Sequence, residues 1–328
     1  MGNMSVIRLG TRASTLATTQ SEMVAGLLRS EGLDVDLTTI TTHGDTSTAS
    51  LAAMGGIGVF ASAIRAALLE GEADIAVHSF KDLPTGRPLG LAIGAVPARA
   101  DPRDALVARD GLTLHDLPQE ASVGTGSPRR AAQLLAVRPD LTIVDIRGNV
   151  DTRLGRVKGL GRYAKNGGKE DLDAVVLAAS GLARLGHSGA VTEFLDPSVV
   201  LPAPAQGALA VECRTADSRH GKLAKALARI DDRRTRLAAT AERAVLSHLE
   251  AGCAAPIGAL AQLNPASGKT PEVLTLDVVV AAVDGSRTVR EQVSVELPAE
   301  VEPALAAAHT LGVTAAEELL DDGAADVA

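Results

Sequence analysis

His78-Ser79-Phe80-Lys81-Asp82-Leu83-Pro84 follows the apolar run Asp74-Ile75-Ala76-Val77 without a break. The run is short and bounded, as a buried strand should be. Pro84 lacks an N–H and restricts the residue before it, so the strand cannot continue. Lys81 and Asp82 therefore sit just past a strand's carboxyl end, where open parallel sheets bind ligands. A carboxylate beside an ammonium stays ionised at neutral pH, which makes Asp82 a fixed anion. Such a charge can stabilise a cation formed during a reaction. A solvated Lys-Asp pair in a turn fits the same residues, and the rest of the chain has to decide.

Upstream, Phe60 to Glu70 reads as a helix feeding this strand, and Val35 to Ile40 as the strand before it, a βαβ unit. Thr42 to Gly58 between them is a flexible loop of about fifteen residues, long enough to be a lid. Val6 to Leu9 reads as a strand running through Gly10-Thr11-Arg12-Ala13-Ser14 into a helix from about Ser14 to Arg29. A strand, glycine turn and helix start leave backbone N–H groups at the ligand edge. Arg12 adds a planar fork suited to a carboxylate. A capped helix with a solvated Arg12 fits equally.

Downstream, Leu91 to Val96 is a strand, and Pro97 to Pro102 a crossover into a second domain. Val123-Gly124-Thr125-Gly126-Ser127-Pro128-Arg129-Arg130 then echoes Leu9-Gly10-Thr11. Ser127 suits a helix N-cap and Pro128 the first helical position. Arg129 and Arg130 in the first turn oppose the helix dipole, a broken local rule that hints at an anion site. Leu141 to Ile146 is a strand, and a helix from about Val150 should carry Arg153 and Arg156 on neighbouring positions of one face. Ser127 to Lys165 is +6 in a chain of −8, leaving −14 elsewhere. That asymmetry suits an acidic small molecule rather than a polyanion. Gly159 to Glu170 reads as a mobile insertion, Ala174 to Ala178 as a strand, and Gly181 to Gly186 as a short helix bearing Arg184.

Val199 to Gly207 is a second proline-rich crossover, and Ala208 to Cys213 a strand returning to the first domain. Two crossovers between two α/β lobes make a hinged cleft. Asp231 to Leu249 is an amphipathic helix that ends in Gly252-Cys253-Ala254-Ala255-Pro256-Ile257-Gly258. Cys253 is thus on a Gly/Pro loop, an accessible nucleophile or attachment point if it is not incidental. Cys213 lies on an apolar run and reads as a core thiol. Val273 to Val283 and Thr288 to Val295 read as a hairpin with a type I′ turn at Asp284-Gly285. A helix from about Pro303 to Leu320 closes the chain.

The 328 residues are 46% hydrophobic but only 1% aromatic, so the cores must be built from Ala, Val, Leu and Ile. Base-stacking platforms are missing and the charge is negative, which speaks against nucleic acid. The sequence has no apolar run of membrane-spanning length and no signal-peptide pattern. Two cysteines make no disulfide framework, and no Cys/His cluster has metal-ligand spacing. A reduced cytoplasmic monomer with neither metal nor membrane partner is expected.

Seven stretches together resemble the porphobilinogen deaminase (hydroxymethylbilane synthase) family over essentially the whole chain. They are Arg8 to Ser14, Ala76 to Pro84, Gly124 to Arg130, Ile146 to Arg153, Leu182 to Gly186, Ala205 to Ala208 and Gly252 to Gly258. The resemblance implies a transferase that joins four porphobilinogen molecules head to tail into hydroxymethylbilane, releasing ammonia. It implies a dipyrromethane cofactor on which the product grows, held by a thioether at Cys253. It puts the catalytic aspartate at Asp82, hydrogen-bonding pyrrole N–H groups and stabilising the azafulvene-like cation left by ammonia. It implies that Ser79, Lys81, Thr125, Ser127, Arg129 and Arg130 bind the cofactor. Arg12, Ser14, Arg147, Asn149, Arg153 and Arg184 fall to the substrate's carboxylate arms, and Phe60 to the lid. Ile57, Ser62 and Ala63 stand where many members carry charged residues, so the lid offers fewer charges here.

The fold then expected is α/β. Two hinged lobes resemble type II periplasmic binding proteins, residues 1–100 with about 203–228 and residues 103–200. A small α+β third domain, 231–328, carries Cys253. The rival is a non-catalytic two-lobe protein binding a small carboxylate.

Overall fold

The computed structural model describes residues 6–40, 59–86, 88–250, 256–266 and 271–327. The lid segment with Ile57, and the loop with Cys253, lie outside the described residues, as does the side chain of Phe60. The chain runs through β1 (Ile7–Thr11), α1 (Thr15–Ser30), β2 (Val35–Thr39), α2 (Val59–Leu69), β3 (Ile75–Ser79) and β4 (Leu91–Ala95). It passes on to β5 (Asp104–Ala108), β6 (Ser122–Gly124), α3 (Pro128–Val137), β7 (Thr142–Val144), α4 (Val150–Leu154), β8 (Ala174–Ala178), α5 (Ala179–Arg184) and β9 (Glu193–Phe194). Then come β10 (Leu209–Arg214), α6 (Gly221–Ile230), α7 (Arg233–His248), β11 (Ile257–Asn264), β12 (Val273–Ala281), β13 (Thr288–Glu296) and α8 (Val301–Asp321).

The α/β class read from the sequence is what forms. Two compact units divide the chain, residues 1–100 with 208–237, and residues 101–207 with 238–328. The first unit holds a sheet of order β2-β1-β3-β10-β4, in which β10 is antiparallel to β3 and β4. The second holds a sheet of order β7-β6-β8-β5-β9, in which β5 is antiparallel to β8 and β9. Both follow one plan: each antiparallel strand is the first strand after a crossing of the chain. Strands β3, β5, β8 and β10 are buried almost throughout, as sheets covered on both faces require.

Aliphatic cores flank each sheet. Leu9, Leu28, Ile75, Val211 and Leu227 pack together in the first unit, and Ile64, Leu68 and Leu91 form another cluster there. Leu106, Leu134 and Val176 form one cluster in the second unit, and Ile146, Leu154 and Leu182 another. The antiparallel sheet β11-β12-β13 with α8 also belongs to the second unit. Cys213 is buried within β10, and burial pushes its thiol up to about 11. No helix among the described residues is long and apolar enough to cross a membrane.

Local expectations are corrected in three places. The helix at Val150 is five residues long, with Gly155 at its C-cap. Arg156 falls beyond it and pairs with Asp171, so it does not share a face with Arg153. The β12–β13 loop is not a type I′ turn, which needs positive φ at both central residues. Gly285 N–H donates to the Ala282 carbonyl at 2.8 Å, and of the loop residues only Gly285 is left-handed, at φ 74°. Residues 159–170 are tied down by Glu170, whose Oε1 accepts from the N–H groups of Gly159 (2.8 Å) and Gly161 (3.2 Å).

Candidate active site

In the first unit, the site is built at the carboxyl end of β3. Ser79 pairs in register with Leu209 of β10, and the Phe80 N–H donates to the Ala208 carbonyl at 3.1 Å. The chain then makes a single 3-10 turn, Phe80–Asp82, with Phe80 buried below and Asp82 exposed above. A pocket brings Asp82, Ser79 and Arg12 together, with Gln20 and His78 also in its wall. Gln20 Nε2 donates to Ser79 Oγ at 2.9 Å, which fixes the hydroxyl's position. His78 lies 3.3 Å from Glu212, and Arg65 Nε donates to the same carboxylate at 3.1 Å. Burial pushes Glu212 up, and its His78 and Arg65 partners hold it below the usual range. Ser14 is the N-cap of α1, its Oγ accepting from the Ala17 N–H at 3.3 Å. Gln20 and His78 are wall residues that the sequence reading passes over. His78 stood inside the decisive stretch, while Gln20 lies among ordinary helix residues and gives no local signal.

The second unit gathers the arginines. Ser127 takes the N-cap position of α3 with Pro128 following, but its side chain makes no capping bond. Its N–H instead reaches Thr125 Oγ1 at 3.2 Å. Arg129 and Arg130 turn inward, to the wholly buried Asp104. Arg130 Nη2 lies 2.7 Å from Asp104 Oδ1, and Arg129 Nη2 lies 2.8 Å from Oδ2. That carboxylate answers the dipole conflict seen in the sequence. Asn149 caps α4 through Oδ1, accepting the Thr152 N–H at 2.8 Å. Arg153 Nε donates to the Gly148 carbonyl at 2.8 Å, and Arg184 Nη2 to the Gly207 carbonyl at 2.7 Å. Arg147 is exposed and pairs with Asp145 at 3.2 Å.

Positive charge is in surplus here. Two buried guanidiniums share one buried carboxylate. Burial pushes Asp104 up, and the charges of Arg129 and Arg130 more than reverse it. Burial lowers Arg153, and the charges of Arg130 and Arg147 lower it further. Burial also lowers Arg184, whose buried Nε has no hydrogen-bond partner among the described residues. A buried donor without an acceptor is costly, and a carboxylate supplies what is missing. The donor set therefore fits a group bearing several carboxylate arms, as a dipyrromethane does.

Comparison with known proteins agrees. The family model "Porphobilinogen deaminase, dipyromethane cofactor binding domain" matches residues 7–222. That of the porphobilinogen deaminase C-terminal domain matches residues 236–321. Porphobilinogen deaminase of Cutibacterium acnes is 98% identical over 99% of this chain and 97% of its own. Those of Micrococcus luteus and Mycobacterium tuberculosis are 52% and 49% identical, over 98% of this chain and 94% and 98% of theirs. Among solved structures, apo YehZ from Escherichia coli aligns with TM-score 0.41 and 14% identity, over 69% of this chain and 86% of that one. The relatives at high identity are named for the enzyme and not for a solute binder. The chain belongs to the porphobilinogen deaminase family.

Proposed function

We propose that Asp82 is the catalytic carboxylate of this transferase and that Cys253 carries its cofactor. The reaction is the condensation of four porphobilinogen molecules into hydroxymethylbilane with loss of ammonia. The dipyrromethane group supplies the pyrrole end on which the product grows.

The supporting observation is the pocket at the end of β3, where Asp82 meets Arg12 and Ser79. Asp82 is exposed on a turn anchored from below by Phe80, so its carboxylate can face a ligand without disturbing the core. It would accept pyrrole N–H groups and offset positive charge developing on the substrate as ammonia departs. Arg12 would hold a carboxylate arm of the substrate, with Ser14, Arg147, Asn149, Arg153 and Arg184 assigned to further arms. Ser79, Lys81, Thr125, Ser127, Arg129 and Arg130 would hold the cofactor, and Phe60 would belong to the lid. We assign the enzyme to the cytoplasm as a monomer, and residues 231–328 to a domain of their own.

Intact-mass measurement of denatured protein, with Cys253→Ser beside it, tests the attachment. An excess equal to two deaminated porphobilinogen units, lost in the variant, is the expected result. A bare chain mass after incubation with porphobilinogen would overturn the role of Cys253.

A further inference from the structure

We propose that Gln206, held by Asp104, is a positioning residue that registers the arginines of α3 with Arg184 of α5. The inference rests on the reading of those arginines as carboxylate binders. Gln206 and Asp104 are both wholly buried. Gln206 Nε2 donates at 2.8 Å to Asp104 Oδ1, the oxygen that Arg130 also holds. The same nitrogen lies 2.8 Å from the Pro102 carbonyl. One amide thus joins the entry segment of β5 to the turn before β10. Its Oε1 faces Arg130 Nη2 at 3.4 Å.

The turn itself is strained. Ala205 has φ 61° and Gly207 has φ 88°, left-handed values on either side of Gln206. Alanine rarely adopts that region unaided. Two buried side chains hold it there: Gln206, and Glu242, whose Oε2 accepts the Ala205 N–H at 2.5 Å. The constrained Gly207 carbonyl is the acceptor for Arg184 Nη2. Arg184 is thereby fixed through one nitrogen, while its Nε has no partner among the described residues. A packing role alone would not need an amide whose hydrogen bonds reach the counter-ion of two arginines and adjoin the acceptor of a third.

The test uses the full-length holoprotein. Gln206→Met keeps the side chain's length without its donors. Gln206→Leu, a second variant should the first not fold, is smaller and likewise lacks both donors. Arg184→Gln and the double variant complete a cycle. KM and kcat are measured, together with the rise in Tm that porphobilinogen gives each protein. Gln206→Met should raise KM about tenfold, change kcat less, and shrink the ligand-induced rise in Tm. Added to Arg184→Gln, it should raise KM less than about twofold further, since coupled residues are not additive. Full multiplication of the two effects, or an unchanged KM in folded Gln206→Met, would reduce Gln206 to packing and overturn the proposal. An unchanged KM in Arg184→Gln would overturn the carboxylate reading itself, and the proposal with it.

Discussion

Arg130 grips Asp104 Oδ1 with two nitrogens, Nε at 2.9 Å and Nη2 at 2.7 Å, where Asp104 is wholly buried and Arg130 is 6% exposed. Arg129 takes the other oxygen. Removing the carboxylate leaves two guanidiniums buried without a counter-ion, and breaking such a pair costs about 3–5 kcal/mol. Asp104→Ala should therefore show a much lower urea midpoint than the parent protein. Asp104→Asn keeps an acceptor and should lose less. Equal midpoints for Asp104→Ala and the parent would show that the arginines find other partners.

Acid should unfold the protein through the same kind of carboxylate. Burial pushes up the carboxyls of Asp74, Asp104 and Asp173, and their basic and hydrogen-bonding partners pull each below its ordinary value. The unfolded chain then takes up protons first, near the ordinary pKa of about 3.9. The stabilisation is complete above that pH and is lost as pH falls below it, towards the folded values. Urea midpoints at pH 6, 5, 4 and 3 should hold down to 5 and fall steeply below 4. A midpoint that did not move between pH 5 and 3 would remove these pairs from the account.

Asp82→Asn separates catalysis from folding. Asp82 is exposed on its turn, so the substitution should leave Tm within a degree or two of the parent, as surface changes do. The isosteric amide removes the negative charge. Loss of one well-placed electrostatic group costs about 10²–10³-fold in kcat. Steady-state assay of the variant checks this, and near-normal turnover would move the catalytic role elsewhere.

What the sequence made legible follows the range of the interactions. The end of β3 is local: an apolar run and Pro84 suffice to place Asp82 on a turn. The start of α3 is equally local in Ser127-Pro128. The direction of Arg129 and Arg130 is not legible, because Asp104 stands among ordinary residues ahead of the strand-like Leu106-Val107-Ala108 and nothing local marks it as their partner. Helix α6 does have a local signal, since Leu223, Leu227 and Ile230 stand four and three apart, the spacing of one helical face. Helix α4 stops short of Arg156, against the expectation from the arginine spacing, because no apolar pattern in Val150 to Arg156 outweighs Gly155. Pairings that close a loop of tens of residues leave no periodicity to read, and the buried arginine network is made of them.

The arginines should differ in weight, and burial sets the order. Arg184 is half-buried, with an Nε that has no partner among the described residues, whereas Arg147 is exposed and pairs with an exposed Asp145. A charged hydrogen bond in a desolvated site contributes about 1.5–3 kcal/mol, and an exposed pair about 0–1 kcal/mol. Arg184→Gln should raise KM for porphobilinogen by about 10- to 100-fold, and Arg147→Gln by less than about fivefold. Measuring both at one ionic strength, then at raised salt, adds a second reading. Screening acts on exposed charges, so the salt effect on KM should shrink more in Arg147→Gln than in Arg184→Gln. If Arg147→Gln proves the more damaging, a carboxylate arm is held at the surface end of the arginine set and not at its buried end.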